Sequence, residues 1–266
     1  MRTLSPDADF MSANRAPAPD GALNRVPEVT PSFWLIKLMA VTMGETAADY
    51  LAVNLGLGLT ATTILMSVVL TATLVWQFGQ RRYVPHVYWA AVVLISIVGT
   101  LVTDNLVDNF GVPLLTTFWV FSAALAATFA AWYASERTLS IHEVFTARRE
   151  GFYWLAILFT FALGTAAGDL VAEKFGMGYM ATGILFGLII ASLTSGYYAL
   201  RLDGLWAFWL CYIFTRPLGA SFGDLLSQPK EYGGMGFGTI PTSLGFLAVI
   251  AATVGMLTLR RGRSSV

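Results

Sequence analysis

From Pro31 onward the chain alternates long apolar stretches with short polar breaks. A membrane-spanning helix needs about 20 mostly apolar residues. Eight stretches meet that length, at residues 33–54, 59–78, 86–108, 113–134, 151–173, 178–199, 205–227 and 239–259. The breaks carry residues that end helices: Gly56 and Gly58, Gly111-Val112-Pro113, Gly176 and Gly178, and Gly233-Gly234 through Gly238. The pattern predicts an all-α membrane protein with eight transmembrane helices. Residues 1–27 depart from it, holding Pro6, Asp7, Asp9, Asn14, Pro17, Pro19, Asp20 and Asn24 and no long apolar run. They lack the apolar core and small-residue cleavage site of a signal peptide, and read as a disordered cytoplasmic tail. Residues 260–266 read as a second short tail. The break at 135–150 holds His142, Glu143, Arg148, Arg149 and Glu150 and reads as a solvated connector.

Comparing the chain with itself reveals a fourfold repeat. Four segments begin with an aromatic-Trp pair: Phe33-Trp34, Tyr88-Trp89, Tyr153-Trp154 and Phe208-Trp209. Ten residues after each Trp comes Gly44, Gly99, Gly164 or Gly219, and five residues further on comes Asp49, Asp104, Asp169 or Asp224. The glycines are 55, 65 and 55 residues apart, with the 135–150 connector inside the long interval. This spacing predicts four two-helix repeats in a 2+2 arrangement: residues 28–134 form repeats one and two, and residues 151–259 form repeats three and four. Two helices per repeat return the chain to its starting side, so the repeats are parallel. They form a pseudo-fourfold or pseudo-twofold bundle about the membrane normal.

Each part of the motif has a physical use. The aromatic pair suits a membrane-interface belt. Four residues after each Gly comes Ala48, Thr103, Gly168 or Gly223, which makes a small-xxx-small pattern for close helix contact. Gly44, Gly99, Gly164, Gly219, Gly168 and Gly223 are thus the expected packing positions. From Trp to Asp is about 22 Å along a helix, which places the four Asp in the outer half of a core of about 30 Å.

Composition narrows the class. Hydrophobic residues make up 56% and charged residues 12%, against about 45–50% and about 25% in soluble domains. Sixteen basic and sixteen acidic residues balance, which excludes a basic nucleic-acid binder. One Cys (Cys211) and two distant His (His86, His142) exclude a disulfide framework and a His or Cys metal site. Thirteen of the sixteen basic residues, Lys37 counted with them, are assigned to the tails or to the breaks after helices two, four and six. The opposite breaks hold only Lys174 and Lys230. By the positive-inside rule both termini are cytoplasmic.

Carboxylates inside a membrane cost about 2.5–3.5 kcal/mol each and mark function. Asp49, Asp104, Asp169 and Asp224 occupy equivalent positions, and Glu45 lies one turn before Asp49. Asp108 and Glu173 follow one turn beyond the Asp in repeats two and three, and Thr100 and Thr165 stand where Glu45 does in repeat one. This oxygen-rich lining suits a hard divalent cation: Mn²⁺, Mg²⁺ or Ca²⁺. Arg216, followed by Pro217, is read as the one basic residue within a span. It is expected to act as a counter-charge to the acidic cluster, with Pro217 freeing a backbone carbonyl for a ligand or hinge.

The fourfold motif, the turn Phe175-Gly176-Met177-Gly178-Tyr179 and the run from Thr215 through Gly219 to Gly223-Asp224 resemble a bacterial group of repeat-type integral membrane proteins described as uncharacterised and membrane-anchored. The resemblance runs from about Val26 to about Leu259 and implies a multi-pass protein of the bacterial inner membrane. It implies no particular activity.

Together these features predict a transporter or exporter of a hard divalent cation, Mn²⁺ favoured, with Asp49, Asp104, Asp169, Asp224 and Glu45 as ligands. The first alternative is a proton-coupled carrier of a small organic or anionic solute bound by Arg216. The second is a non-transporting membrane scaffold or sensor. No tightly bound cofactor and no enzyme activity are expected. The expected partners are the lipid bilayer and the cation, not nucleic acid, with a homo-oligomer left open.

Overall fold

The computed structural model describes residues 23–263. Eight long helices run through the described residues, which contain no strand. They are α1 (Pro31–Asp49), α2 (Leu59–Phe78), α3 (Pro85–Asp104), α4 (Leu114–Glu136), α5 (Ala147–Asp169), α6 (Gly178–Leu200), α7 (Gly204–Ser227) and α8 (Thr239–Arg263). Their starts are written locally. Thr30 accepts from the Phe33 amide ahead of Pro31, Thr146 accepts from the Arg149 amide, and Asp203 accepts from the amides of Leu205 and Trp206. Each cap satisfies an amide that the first turn leaves open.

Six helical segments are long and apolar enough to cross a membrane: those of α2, α3, α4, α5, α6 and α8. The chain is a multi-pass membrane protein. α1 and α7 fall short of that standard because their spans carry Lys37, Glu45 and Asp49 in one case and Arg216 and Asp224 in the other. Both lie in the inner layer and pack on each other, which keeps their charges off the lipid.

The odd helices form a closed ring, in which α1 meets α3, α3 meets α5, α5 meets α7 and α7 returns to α1. The even helices make an outer layer, and their apolar side chains, such as Ile64, Val68, Trp119, Ile184, Leu188 and Leu244, face outward. Each even helix packs chiefly on the odd helix that follows it: α2 on α3, α4 on α5, α6 on α7. α8 closes the circle on α1. A repeat is therefore not a self-packed hairpin. It lends its second helix to its neighbour, and contacts run around the ring without interruption.

The motif residues carry this symmetry. The first aromatic of each pair meets the Trp of the next repeat: Phe33 with Trp89, Tyr88 with Trp154, Tyr153 with Trp209 and Phe208 with Trp34, at ring-centroid distances of 5.6, 5.3, 6.3 and 5.7 Å. Such spacing is that of attractive ring pairs. Trp89, Trp154 and Trp209 are buried and donate to Tyr83 Oη, Glu150 Oε1 and the Leu139 carbonyl. In place of the expected interfacial belt, these three of the four tryptophans thus form an internal layer, their indole N–H groups partnered inside the protein, while Trp34 is half-buried.

The glycines repeat the rule. A Cβ on Gly44 would overlap Ser96, one on Gly99 would overlap Phe161, one on Gly164 would overlap Arg216, and one on Gly219 would overlap Val41. Each of those neighbours stands three residues before the glycine of the next repeat. Gly168 lies against Pro217, and Gly223 against the Thr42 carbonyl and Glu45. Lacking side chains, these residues let the four odd helices close on one axis.

Beyond the Asp, α1, α3 and α5 each widen into one π-helical turn, at Tyr50–Asn54, Asn105–Asn109 and Leu170–Lys174. The fourth repeat does not. Pro229 stands where the others have Asn54, Asn109 and Lys174, and without an N–H it cannot close a turn back to Asp224. Gln228 instead bonds the Asp224 carbonyl in the ordinary α pattern, at 2.9 Å.

At the aromatic end, residues 24–26 of the segment expected to be a tail are held in place. Asn24 Nδ2 donates to the Ile141 carbonyl, Arg25 Nη1 pairs with Glu150 at 2.6 Å, and Val26 is buried. Burial and partners there replace the disorder expected of 1–27; its first 22 residues lie outside the described ones. The 135–150 connector is also more ordered than expected. A 3-10 turn spans Ile141–Glu143, Arg149 pairs with Glu136 and Glu143, and Glu150 is fully buried. α8 continues into the second expected tail as far as Arg263.

Candidate functional site: an acidic vestibule with an arginine floor

The ring has two dissimilar ends. At the aromatic end the axis is filled: Phe33 and Phe208 face each other at 6.1 Å, and the hydroxyls of Tyr88 and Tyr153 meet at 2.5 Å. At the other end the axis opens into a cavity of about 140 Å³. Its lining includes Glu45 and all four repeat aspartates, Asp49, Asp104, Asp169 and Asp224. Asp108 and Glu173 line it further out and are themselves exposed, while Val107, Leu114, Tyr179 and Gln228 complete it. The fourfold spacing read from the sequence therefore converges on one space.

Arg216 forms the floor. It is 1% exposed, and its Nη2 donates to Glu45 Oε2 at 2.6 Å, to Thr165 Oγ1 at 2.7 Å and to Thr100 Oγ1. Glu45, Thr100 and Thr165 each stand one residue after the glycine of their repeat, so the arginine of repeat four reaches the same position in the other three. Ala220 fills that position in repeat four itself. Thr100 and Thr165, expected as lining, are fully buried in this floor. Their hydroxyls accept from Arg216 and lie below the cavity. Pro217 packs against α5 at Gly164 and Gly168.

The four aspartates have no such partner. Among the described residues none of them forms an ion pair, and the one side-chain hydrogen bond found at the ring runs from Gln228 Nε2 to Asp49 Oδ2 at 3.1 Å. Arg216, expected as a counter-charge to the acidic cluster, pairs with its member Glu45 and, among the described residues, with no other carboxylate. Glu45, expected as a metal ligand, is correspondingly the arginine's partner. No group of three or more His, Cys, Asp or Glu among the described residues is arranged to hold a metal ion.

One axial residue escaped the sequence reading. Lys37 was counted with the cytoplasmic charges, yet it lies inside α1 and is fully buried. Its spacing gave the signal: Lys37, Val41, Glu45 and Asp49 are four residues apart and share a helix face.

The architecture defines a class: a fourfold internal-repeat membrane protein with a closed helical ring and an acidic vestibule at one end. Residues 32–83, 87–138, 152–202 and 207–263 each match the family described as Repeat of Unknown Function (DUF347), and the chain belongs to that family. No curated protein and no solved structure matches the chain.

Proposed function

We propose that this chain is a membrane carrier for a cation, which it takes up in the vestibule lined by Asp49, Asp104, Asp169 and Asp224. The observation that supports this is the missing counter-charge. Four carboxylates converge on one open cavity, and the arginine beneath them is occupied by Glu45. Carboxylates held together in a membrane protein without a protein cation attract one from solution.

The oxygen-only donor set favours a hard divalent cation, Mn²⁺, Mg²⁺ or Ca²⁺. A cavity of about 140 Å³ has room for an ion with several of its waters. The ion therefore binds partly hydrated, with carboxylates reaching its water shell. That is the usual habit of Mg²⁺, which belongs in the assay beside the Mn²⁺ favoured from the sequence. The positive-inside rule turns the aromatic end toward the cytoplasm and the vestibule outward, in a bacterial inner membrane. This is an outward-open form, closed below by Arg216 and the aromatic layer.

The anionic-solute alternative would have to use Arg216 Nε and Nη1, since Nη2 is spent on Glu45, Thr100 and Thr165. Cation flux into proteoliposomes tests the proposal. The Asp49→Asn, Asp169→Asn double variant is expected to fold and to lose flux. Unchanged flux would overturn the cation reading, and loss of folding with no flux in the wild type would favour a scaffold.

A further inference from the structure

Lys37 plays no part in the vestibule, and its surroundings are unusual for a lysine. Its Nζ donates one hydrogen bond, to the Tyr212 carbonyl at 2.9 Å. It also lies 3.9 Å from the centroid of the Tyr212 ring and 5.6 Å from that of Phe161. The Phe161 ring has a second cation against it, since Arg216 Cζ is 5.7 Å from the same centroid. The closed stretch of the axis thus stacks Glu45 and Arg216, then Phe161, then Lys37.

Among the described residues no carboxylate lies within 4.0 Å of Lys37. Arg216, Cys211 and Tyr212, all from α7, face it, and α5 presents the Phe161 ring. With Lys37 protonated, two cations and one carboxylate would share this stretch. Ring faces return less to a desolvated cation than it loses on leaving water. An arginine would have to bear that cost. A lysine can shed and regain a proton as its surroundings change.

We infer that Lys37 is the proton site of this carrier, so that cation movement in one direction is coupled to proton movement in the other. When the aromatic end parts, water reaches the amine and Lys37 takes a proton from that side. When a cation descends past Arg216, the ammonium and the cation repel each other. The N–H bond then breaks, the electron pair stays on Nζ and the proton leaves to water on the vestibule side. One lysine carries one proton per cycle, so exchange against a divalent cation moves net charge. The inference rests on the cation reading above.

The test uses the full chain in proteoliposomes with a pH-sensitive dye inside, driven by a gradient of Mn²⁺ or Mg²⁺. Cation counterflow is measured in parallel. Wild type is expected to show counterflow and a cation-driven pH change. Lys37→Met is expected to keep counterflow and to lose the pH change, falling to the level of empty vesicles. A pH change that survives Lys37→Met, or wild-type flux with no pH change, overturns the inference. If Lys37→Met does not fold, Lys37→Arg replaces it, since guanidinium cannot release the proton. It too is expected to lose the pH change, and keeping it overturns the inference. Wild-type vesicles that move neither ion bring down the cation reading first, and this one with it.

Discussion

Arg216 and Glu45 meet on the axis with Nη2 2.6 Å from Oε2, although 171 residues separate them in the chain. The pair ties α7 to α1 and so fastens the last repeat to the first. Thr100 and Thr165 extend the tie to α3 and α5. One side chain thereby holds all four repeats at a single level.

Removing one partner of such a pair leaves a buried charge alone, at a cost of about 3–5 kcal/mol. Glu45→Gln and Arg216→Gln are each expected to lower stability by that order. The combined Glu45→Gln, Arg216→Gln variant is expected to lose less than the sum of its single changes. Denaturant unfolding in detergent micelles, read as a double-mutant cycle, measures the coupling. Additive losses would mean that the two groups do not depend on each other.

Glycine positions separate packing from mere helix content. A methyl on Gly164 would overlap Arg216, whereas one on Gly151, in the same helix, meets nothing within 4 Å. Gly164→Ala is expected to cost about 1–3 kcal/mol as overpacking. Gly151→Ala is expected to gain up to about 1 kcal/mol from helix propensity. Thermal melting of the two variants side by side checks this. A destabilised Gly151→Ala would show that the region near the start of α5 is tighter than its spacing indicates.

The repeat made much of this legible, because a pattern present four times fixes equivalent positions whatever each residue does. The helices, their starts near Pro31 and Pro85 and the level of the Asp ring all follow from spacing within one helix. What spacing within one helix cannot say is which other helix it meets. Consecutive elements usually pair, so each repeat read as a hairpin, whereas α8 returns to α1 and each even helix serves its successor. The same gap hid the role of the aromatic pairs, whose partners lie in the next repeat. Lys37 was hidden for a different reason: near a helix start, a lone lysine passes for an interfacial charge until its place on the Glu45 face is noticed.

At the aromatic end, Arg25 holds residues 24–26 against the bundle by pairing with Glu150, whose carboxylate also accepts from Gln77 Nε2 and Trp154 Nε1. A hydrogen bond to a charged group contributes about 1.5–3 kcal/mol. Arg25→Ala is expected to lower stability by that order and to expose the segment. Limited proteolysis between residues 23 and 30 is then expected to be faster in the variant than in wild type. Equal resistance of variant and wild type would mean that Asn24 and Val26 hold the segment unaided.

The acidic ring yields a prediction about stability that does not depend on transport. Asp49, Asp104, Asp169 and Asp224 share one cavity with no basic partner among the described residues. Without a cation, charged carboxylates there repel one another, and each Asp→Asn change removes part of that repulsion. Single Asp→Asn variants are therefore expected to melt at or above the wild-type temperature in metal-free buffer. Adding a cation that binds the folded protein alone stabilises it by about 2.7 kcal/mol at a hundredfold excess over its Kd. Wild type should gain in this way from Mn²⁺ or Mg²⁺, and the variant with all four Asp changed to Asn should not. Melting curves with and without each ion make the comparison. If the fourfold variant unfolds at lower temperature in metal-free buffer and wild type ignores every divalent ion, the aspartates are helix ties, and the vestibule is a by-product of packing.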